Sequence, residues 1–400
     1  MTLTPSTPHH STLCARNPGR SRSSSEPLVP PIEMSVVYCP ADLDHVDALS
    51  VGEAPGFIYA RDGHPNASEL AEKMAQLERG ETALVCASGM GAIAAALLSL
   101  LSQHDHALVS KGVYGKTSAL VTQQLPRWGI GHDVFDPADG SSVRSLLNAR
   151  TRLIFTETIS NPLLRVADLD SLGTIAREAG IPLIVDNTFA PLICRPIEHG
   201  ASLVVHSATK MIGGHSDLTL GVLVGARQWV EPARSLASTL GQTGNPFESW
   251  LALRGLSTLS LRMNRACASA RELAQRFEAH PRVVRVYYPS LRSHPNFELA
   301  ARLLPDGAGT IVTIDLGTRA HAQSFMKGLA SIPFAPSLGD VRTTLSHPAT
   351  TSHRGQDDGL LVRQGLTAGT VRISVGLEDP DDLWREFQAA LDAIGSDGSV

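Results

Sequence analysis

Residues Pro182–Thr188 read PLIVDNT, and residues Leu203–Lys210 read LVVHSATK. Each is a short unbroken apolar run closed by a polar cluster. A strand with one wet face alternates apolar and polar residues; a strand covered by helices on both faces has no reason to alternate. The same unit recurs on either side. Strands are expected at Thr82–Ala87, Ala107–Ser110, His132–Phe135, Arg152–Glu157, Pro182–Asp186, Leu203–His206 and Leu218–Val224. Helical patterns stand between them at Ala92–Ser102, Lys116–Trp128, Val143–Ala149 and Leu169–Ala179. This rhythm predicts an α/β fold, a large and mostly parallel sheet of seven strands with helices on both faces.

Beyond it, Phe247–Glu278 reads as almost all helical. A smaller α+β unit follows: strand Val283–Tyr287, helix Asn296–Leu303, strand Thr310–Leu316, helix Ala320–Leu329, strand Arg372–Val375 and helix Asp381–Ile394. We therefore expect an α/β domain over 61–255 and a C-terminal α+β domain over 256–400, preceded by a segment 31–60. Residues 1–30 are rich in Ser, Thr, Pro, Arg and His and contain no acid before Glu26. They read as a disordered arm, with a transit peptide as the other reading.

Composition narrows the function. Of 400 residues, 42% are apolar and 18% charged, with a net charge of -5, which gives no reason to expect nucleic acid as a partner. No apolar run approaches the roughly 18 residues that span a bilayer. Cys14, Cys39, Cys86, Cys194 and Cys267 form no CxxC pair and fit reduced thiols in a cytoplasmic protein. No His or Cys spacing suggests a metal site.

In open α/β sheets ligands bind beyond the carboxyl ends of the strands. There the sequence places Ser88-Gly89-Met90, Lys111–Gly115, Glu157 with Asn161-Pro162, Asp186-Asn187-Thr188, and Ser207–Lys210. Lysine is scarce: Lys73, Lys111, Lys116, Lys210 and Lys327, within a Lys plus Arg total of 34. Lys210 alone directly follows a buried strand and is flanked by hydroxyls. A desolvated lysine has a lowered pKa and becomes a nucleophile towards an aldehyde. The amides of Gly89 and Met90 open a helix, a ready anion site, and Ser207 and Thr209 could donate to the same anion. Asp186 could hold a pyridinium nitrogen protonated, or could cap a turn or helix. Tyr114 could stack on a flat ring, or could be a packed core tyrosine.

The ordered set SGM, YG, NP, DNT and SATK resembles the Cys/Met-metabolism family of pyridoxal 5'-phosphate (PLP) enzymes. Tyr59-Ala-Arg61, Arg254-Gly-Leu256, Ser337-Leu-Gly339, His347-Pro-Ala349 and Arg372–Gly376 extend the resemblance from about Pro30 to the C-terminus. It implies the type I PLP-dependent transferase fold and a homotetramer built from two tight dimers. It also implies roles. Lys210 would hold PLP as a Schiff base and take the substrate α-proton. Gly89, Met90, Ser207 and Thr209 would bind its phosphate, with Ser88 also in the cofactor site and Tyr59 and Arg61 reaching in from the neighbouring subunit. Asp186 would pair with the ring nitrogen, and Tyr114 would stack on the ring and assist proton transfer. Arg372, with Asn161 and Ser337, would hold the α-carboxylate of a small amino-acid substrate. The expected reaction is γ-replacement or γ-elimination.

The chain also departs from the pattern. Lys116 follows Tyr-Gly, where methionine γ-lyases typically have cysteine. Arg342, with Asp340 nearby, stands where cystathionine enzymes usually carry glutamate. A cation there would repel a distal ammonium and favour an anionic or neutral distal group. The stretch 339–353 looks more like the O-succinylhomoserine sulfhydrylases, whereas Gly214-His-Ser-Asp217 looks more like the cystathionine enzymes and γ-lyases. Asp62-Gly63-His64 is unusual after the Tyr-x-Arg motif.

Overall fold

Strands Thr82–Cys86 (β1), His106–Ser110 (β2), Gly131–Phe135 (β3), Thr151–Glu157 (β4), Leu183–Asp186 (β5), Leu203–Ser207 (β6) and Gly221–Gly225 (β7) form one sheet in the order β1-β7-β6-β5-β4-β2-β3. β7 runs antiparallel to both of its neighbours; the other pairings are parallel. Two reversals cancel, so β1 points the same way as β6. The carboxyl ends of β1, β2, β4, β5 and β6 therefore share one edge. The computed structural model describes residues 27–351, 354 and 365–394. Most of the arm expected over 1–30 thus lies outside the described residues, as do two positions of the stretch 339–353. The chain divides into units Met1–Pro31 and Ile32–Val400, and the elements here belong to the second.

Alternation within the continuous runs is spatial rather than chemical. Leu84, Ile184, Leu203, Val205 and Leu223 pack on one face with Ile93, Ala96 and Leu97 of helix Gly89–Leu98. Val85, Val185, Val204, Val222 and Val224 pack on the other with Leu70 and Met74 of helix Pro65–Glu78 and with Leu172 and Ile175 of helix Leu169–Ala179. Each fully buried aliphatic side chain contributes about 1.5–3 kcal/mol. A second sheet, β10-β11-β9-β8, is antiparallel throughout; its strands are Arg285–Tyr287 (β8), Ile311–Asp315 (β9), Thr344–Ser346 (β10) and Thr370–Ser374 (β11). Helix Leu259–Glu278 contributes Met263 and Cys267 to the first core and Leu273 and Phe277 to that of the second sheet.

Three local features differ from the sequence expectation. Helix Arg227–Leu240, which contains Pro232, was not anticipated. Its amphipathic face, with Val230, Ala233 and Ala237 buried, outweighs the local cost of the proline. The helix expected over 116–128 is regular only over Gly115–Ala119, then widens into a π turn, Leu120–Gln124, and tightens over Leu125–Trp128. Pro126 has no N–H to return to the preceding turn, so an α-helical ladder cannot run through it. The three-residue strand β10 is fixed by pairing with β11, a long-range effect.

Candidate active site

Lys210 sits one turn past β6. Its amide donates to Ser207 O at 3.1 Å, and its Nζ donates to Ser337 Oγ at 3.2 Å. Burial holds its pKa below the usual lysine range, and the Arg372 charge lowers it further. The approach of the Ser337 segment is close: a Cβ on Gly339 would lie 2.6 Å from Met211 N and 2.9 Å from the Lys210 carbonyl carbon, and Gly339 has φ +80°. Only glycine tolerates both the contact and the dihedral.

Arg372, in the middle of β11, is buried. Its guanidinium donates to Asn161 Oδ1 at 3.0 Å and to Ser337 O at 2.9 Å. Nε has no partner among the described residues. Both acceptors are neutral, and burial pushes the guanidinium down to about 10, with the nearby Tyr114 phenol acting the other way. A buried cation with a spare donor and no carboxylate partner among the described residues suits an anionic ligand.

Asp186 ends β5. Burial raises its carboxyl, against which Thr188 donates from its backbone N–H at 2.9 Å and its hydroxyl at 2.6 Å, both to Oδ1. The same Thr188 oxygen accepts the Ser207 N–H at 2.8 Å, tying β5 to β6. So Asp186 does form the turn that the sequence allowed, and that turn leaves Oδ2 for another donor. Glu157, its register partner on β4, is raised well above the usual range by burial and by the Asp186 charge. Its Oε1 accepts the Tyr114 N–H at 2.6 Å. The Tyr114 ring is 40% exposed, so it is not a packed core tyrosine in this chain.

At the end of β1, Ser88 caps helix Gly89–Leu98 by accepting the Gly91 N–H at 3.0 Å. Its side chain is thus a helix cap. The amides of Gly89 and Met90 stay unused within the helix. A Cβ on Gly89 would lie 2.8 Å from Ser207 Cβ, so glycine keeps open the gap between helix N-terminus and Ser207. Thr209 differs from expectation: its hydroxyl donates to Leu220 O at 3.3 Å and accepts Leu220 N–H at 3.1 Å. It would have to leave Leu220 O to donate to an anion.

Lys210, Ser337, Arg372, Asn161, Tyr114 and Asp186 are thus brought together. Tyr59 and Arg61 make no described bond to this group; the Arg61 guanidinium lies over the Tyr59 ring at 5.1 Å. Arg342 is exposed, and its Nε donates to buried Asp340 at 3.2 Å. Asp340 also accepts from Ser216 Oγ at 2.5 Å, and Val341 N–H donates to Gly214 O at 2.9 Å. The loop after Ser337 is thereby pinned to the loop after Lys210. Lys116 is exposed beside Tyr114. Asp62-Gly63-His64 proves structural: buried His64 caps helix Pro65–Glu78 through Ala67 N–H at 3.2 Å and bonds Gly244 O at 3.0 Å. Sequence reasoning gave no part to Thr188 or Glu157 as braces; their signal was the strand-end position alone.

These residues fit PLP: an aldehyde-reactive amine of lowered pKa, a buried acid with an open oxygen, a helix N-terminus beside Ser207, and an unpaired cation for a carboxylate. The comparisons agree. The Cys/Met metabolism PLP-dependent enzyme family model matches residues 11–392. L-methionine gamma-lyase of Pseudomonas putida is 37% identical over 369 residues, 92% of this chain and 93% of that protein. O-succinylhomoserine sulfhydrylase of Pseudomonas aeruginosa is 39% identical over 349 residues, 87% and 86%. A solved Campylobacter jejuni structure, described as an O-acetylhomoserine (thiol)-lyase and containing a pyridoxyl-lysine monophosphate, superposes with TM-score 0.87 at 27% identity, covering 94% of this chain and 98% of its own. The fold is that of the type I PLP-dependent enzymes, and the chain belongs to the Cys/Met metabolism PLP-dependent enzymes, with pyridoxal 5'-phosphate as its cofactor.

Proposed function

We propose that the protein catalyses γ-replacement on a homoserine ester, in the manner of a cystathionine γ-synthase or O-succinylhomoserine sulfhydrylase. The observation that carries an α-amino-acid substrate is Arg372, a buried guanidinium whose partners among the described residues are neutral. Its fork suits a carboxylate, and Asn161 and Ser337 O hold the fork in place. Arg342, exposed at the pinned loop, and Lys116, exposed beside Tyr114, favour an acidic arm on the leaving ester over a distal ammonium.

When bound, the cofactor supplies a ring that stores the electron pair left at the substrate Cα. Lys210 Nζ, kept easily deprotonated by burial, takes the proton from Cα. Asp186 would pair with the ring nitrogen, with Thr188 fixing its Oδ1. The amides of Gly89 and Met90, with Ser207, would hold the phosphate. Tyr114 would lie against the ring and assist proton movement. Tyr59 and Arg61 would serve the neighbouring subunit's site in a tetramer.

The alternative is γ-elimination, as in cystathionine γ-lyase or methionine γ-lyase; the likeness to a methionine gamma-lyase favours it. O-succinylhomoserine, O-acetylhomoserine, cystathionine and methionine, each with and without sulfide or cysteine, separate the two by product. A thioether or thiol amino acid made from O-succinylhomoserine is expected. Cystathionine or methionine as clearly the best substrate would overturn the replacement reading.

A further inference from the structure

On the opposite face of the large sheet from Asp186 lies a buried polar cluster with no part in the chemistry above. His206 Nε2–H donates to Glu78 Oε1 at 2.6 Å, with the two side chains 1% and 4% exposed. Asn187 Nδ2 donates to the same oxygen at 3.2 Å and to Cys194 O at 2.9 Å, and Thr158 donates to Asn187 Oδ1 at 2.7 Å. His206 immediately precedes Ser207, and Asn187 immediately follows Asp186. Alternation along β5 and β6 sends Asp186 and Ser207 to the site and His206 to the reverse side.

Stability alone is a poor reason for this pair. Glu78 is the last residue of helix Pro65–Glu78, where the helix dipole disfavours a carboxylate. Burying two charges costs several kcal/mol each before their attraction offsets it, and an apolar pair of similar volume is often as stable. His206 Nδ1 and Glu78 Oε2 also lack partners among the described residues.

We propose that Glu78 and His206 are positioning residues of the cofactor site, an acid–imidazole pair that sets the charge behind Asp186 and so holds its carboxylate ready for the ring nitrogen. The proposal rests on Asp186 meeting that nitrogen. The His206 charge favours the ionised form of Asp186 against the effect of burial. Glu78 Oε1 holds the His206 ring in place through the 2.6 Å bond to Nε2. The other titratable groups facing the pair or Asp186 do not replace it. The Cys194 thiol is pushed up to about 12 by burial and by Glu78, so it stays neutral. Arg195 turns its Nε to Leu77 O. Glu157, raised well above the usual range by burial and by the Asp186 charge, supplies no positive charge to Asp186.

The test is Glu78→Gln, which keeps an acceptor for His206 and Asn187 and removes only the charge. PLP affinity of the apoprotein and the pH dependence of the bound cofactor's absorbance are measured in the wild-type and Asp186→Asn backgrounds. In the wild-type background, PLP Kd is expected to rise about tenfold and the absorbance midpoint to move, with the apo Tm within a few degrees. In Asp186→Asn the same change should add nothing. An unchanged Kd and midpoint in Glu78→Gln overturns the proposal, as does an equal effect in both backgrounds. If Glu78→Gln fails to fold, His206→Gln, which keeps a donor to Glu78, is read by the same measures. Asp186→Asn alone leaving Kd and spectrum intact would instead sink the Asp186 role.

Discussion

Lys210 reacts only when neutral, and burial lowers its pKa and so favours the neutral amine. Lys210→Ala should abolish turnover, by at least about a thousandfold, and the visible band of the covalently held cofactor; a spectrum and a single-turnover assay decide it. Its lowered pKa has a stability signature in the apoprotein. The unfolded chain binds more protons than the folded one between the lowered value and the ordinary lysine value of about 10.5, so stability rises with pH across that window. Lys210→Met should flatten the rise in denaturant titrations. Arg372→Lys keeps a charge but loses the fork, and should raise KM about 10–100-fold with a much smaller change in kcat. At this scale the sequence was informative wherever a strand ran into a polar cluster, as at Asp186 and Lys210. It was silent on Glu78 with His206 and on the bond from Ser207 to Thr188, whose partners lie on different elements.

At the scale of elements, helix Pro65–Glu78 depends on His64 for its start. Burial lowers the His64 pKa, so the cap is neutral; its stability is present above the ordinary value of 6.5 and is lost as pH falls through the lowered one. His64→Ala should cost about 1–2 kcal/mol, seen as a lower Tm at pH 8 and a weaker fall in stability under acid. Gly339→Ala should cost about 1–3 kcal/mol and impair cofactor retention, because its Cβ would press on the Lys210–Met211 peptide. The sequence predicted the parallel strands well, since their continuous apolar runs are a local signal. Helix Arg227–Leu240 and strand β10 escaped notice because tertiary burial and pairing, not local preference, create them.

For the whole molecule, the proposal that Tyr59 and Arg61 serve a neighbouring copy's site can be tested by mixing variants. Arg61→Ala and Lys210→Ala, each inactive alone, should recover activity when unfolded together and refolded as mixed oligomers. Random pairing leaves about a quarter of the sites with both native groups. Recovery of none would place Arg61 outside the neighbour's site. Such sharing could be read only by resemblance, because no pattern within one chain encodes which copy a side chain serves.

The bonds from Ser216 to Asp340 and from Val341 to Gly214 fasten the loop beyond Ser337 to the loop beyond the lysine, with Arg342 mostly exposed and touching Asp340 through Nε. In evolutionary terms that is a separation of duties. Residue 342 can change without loosening either bond, so the surface there is free to vary while the reactive amine keeps its place.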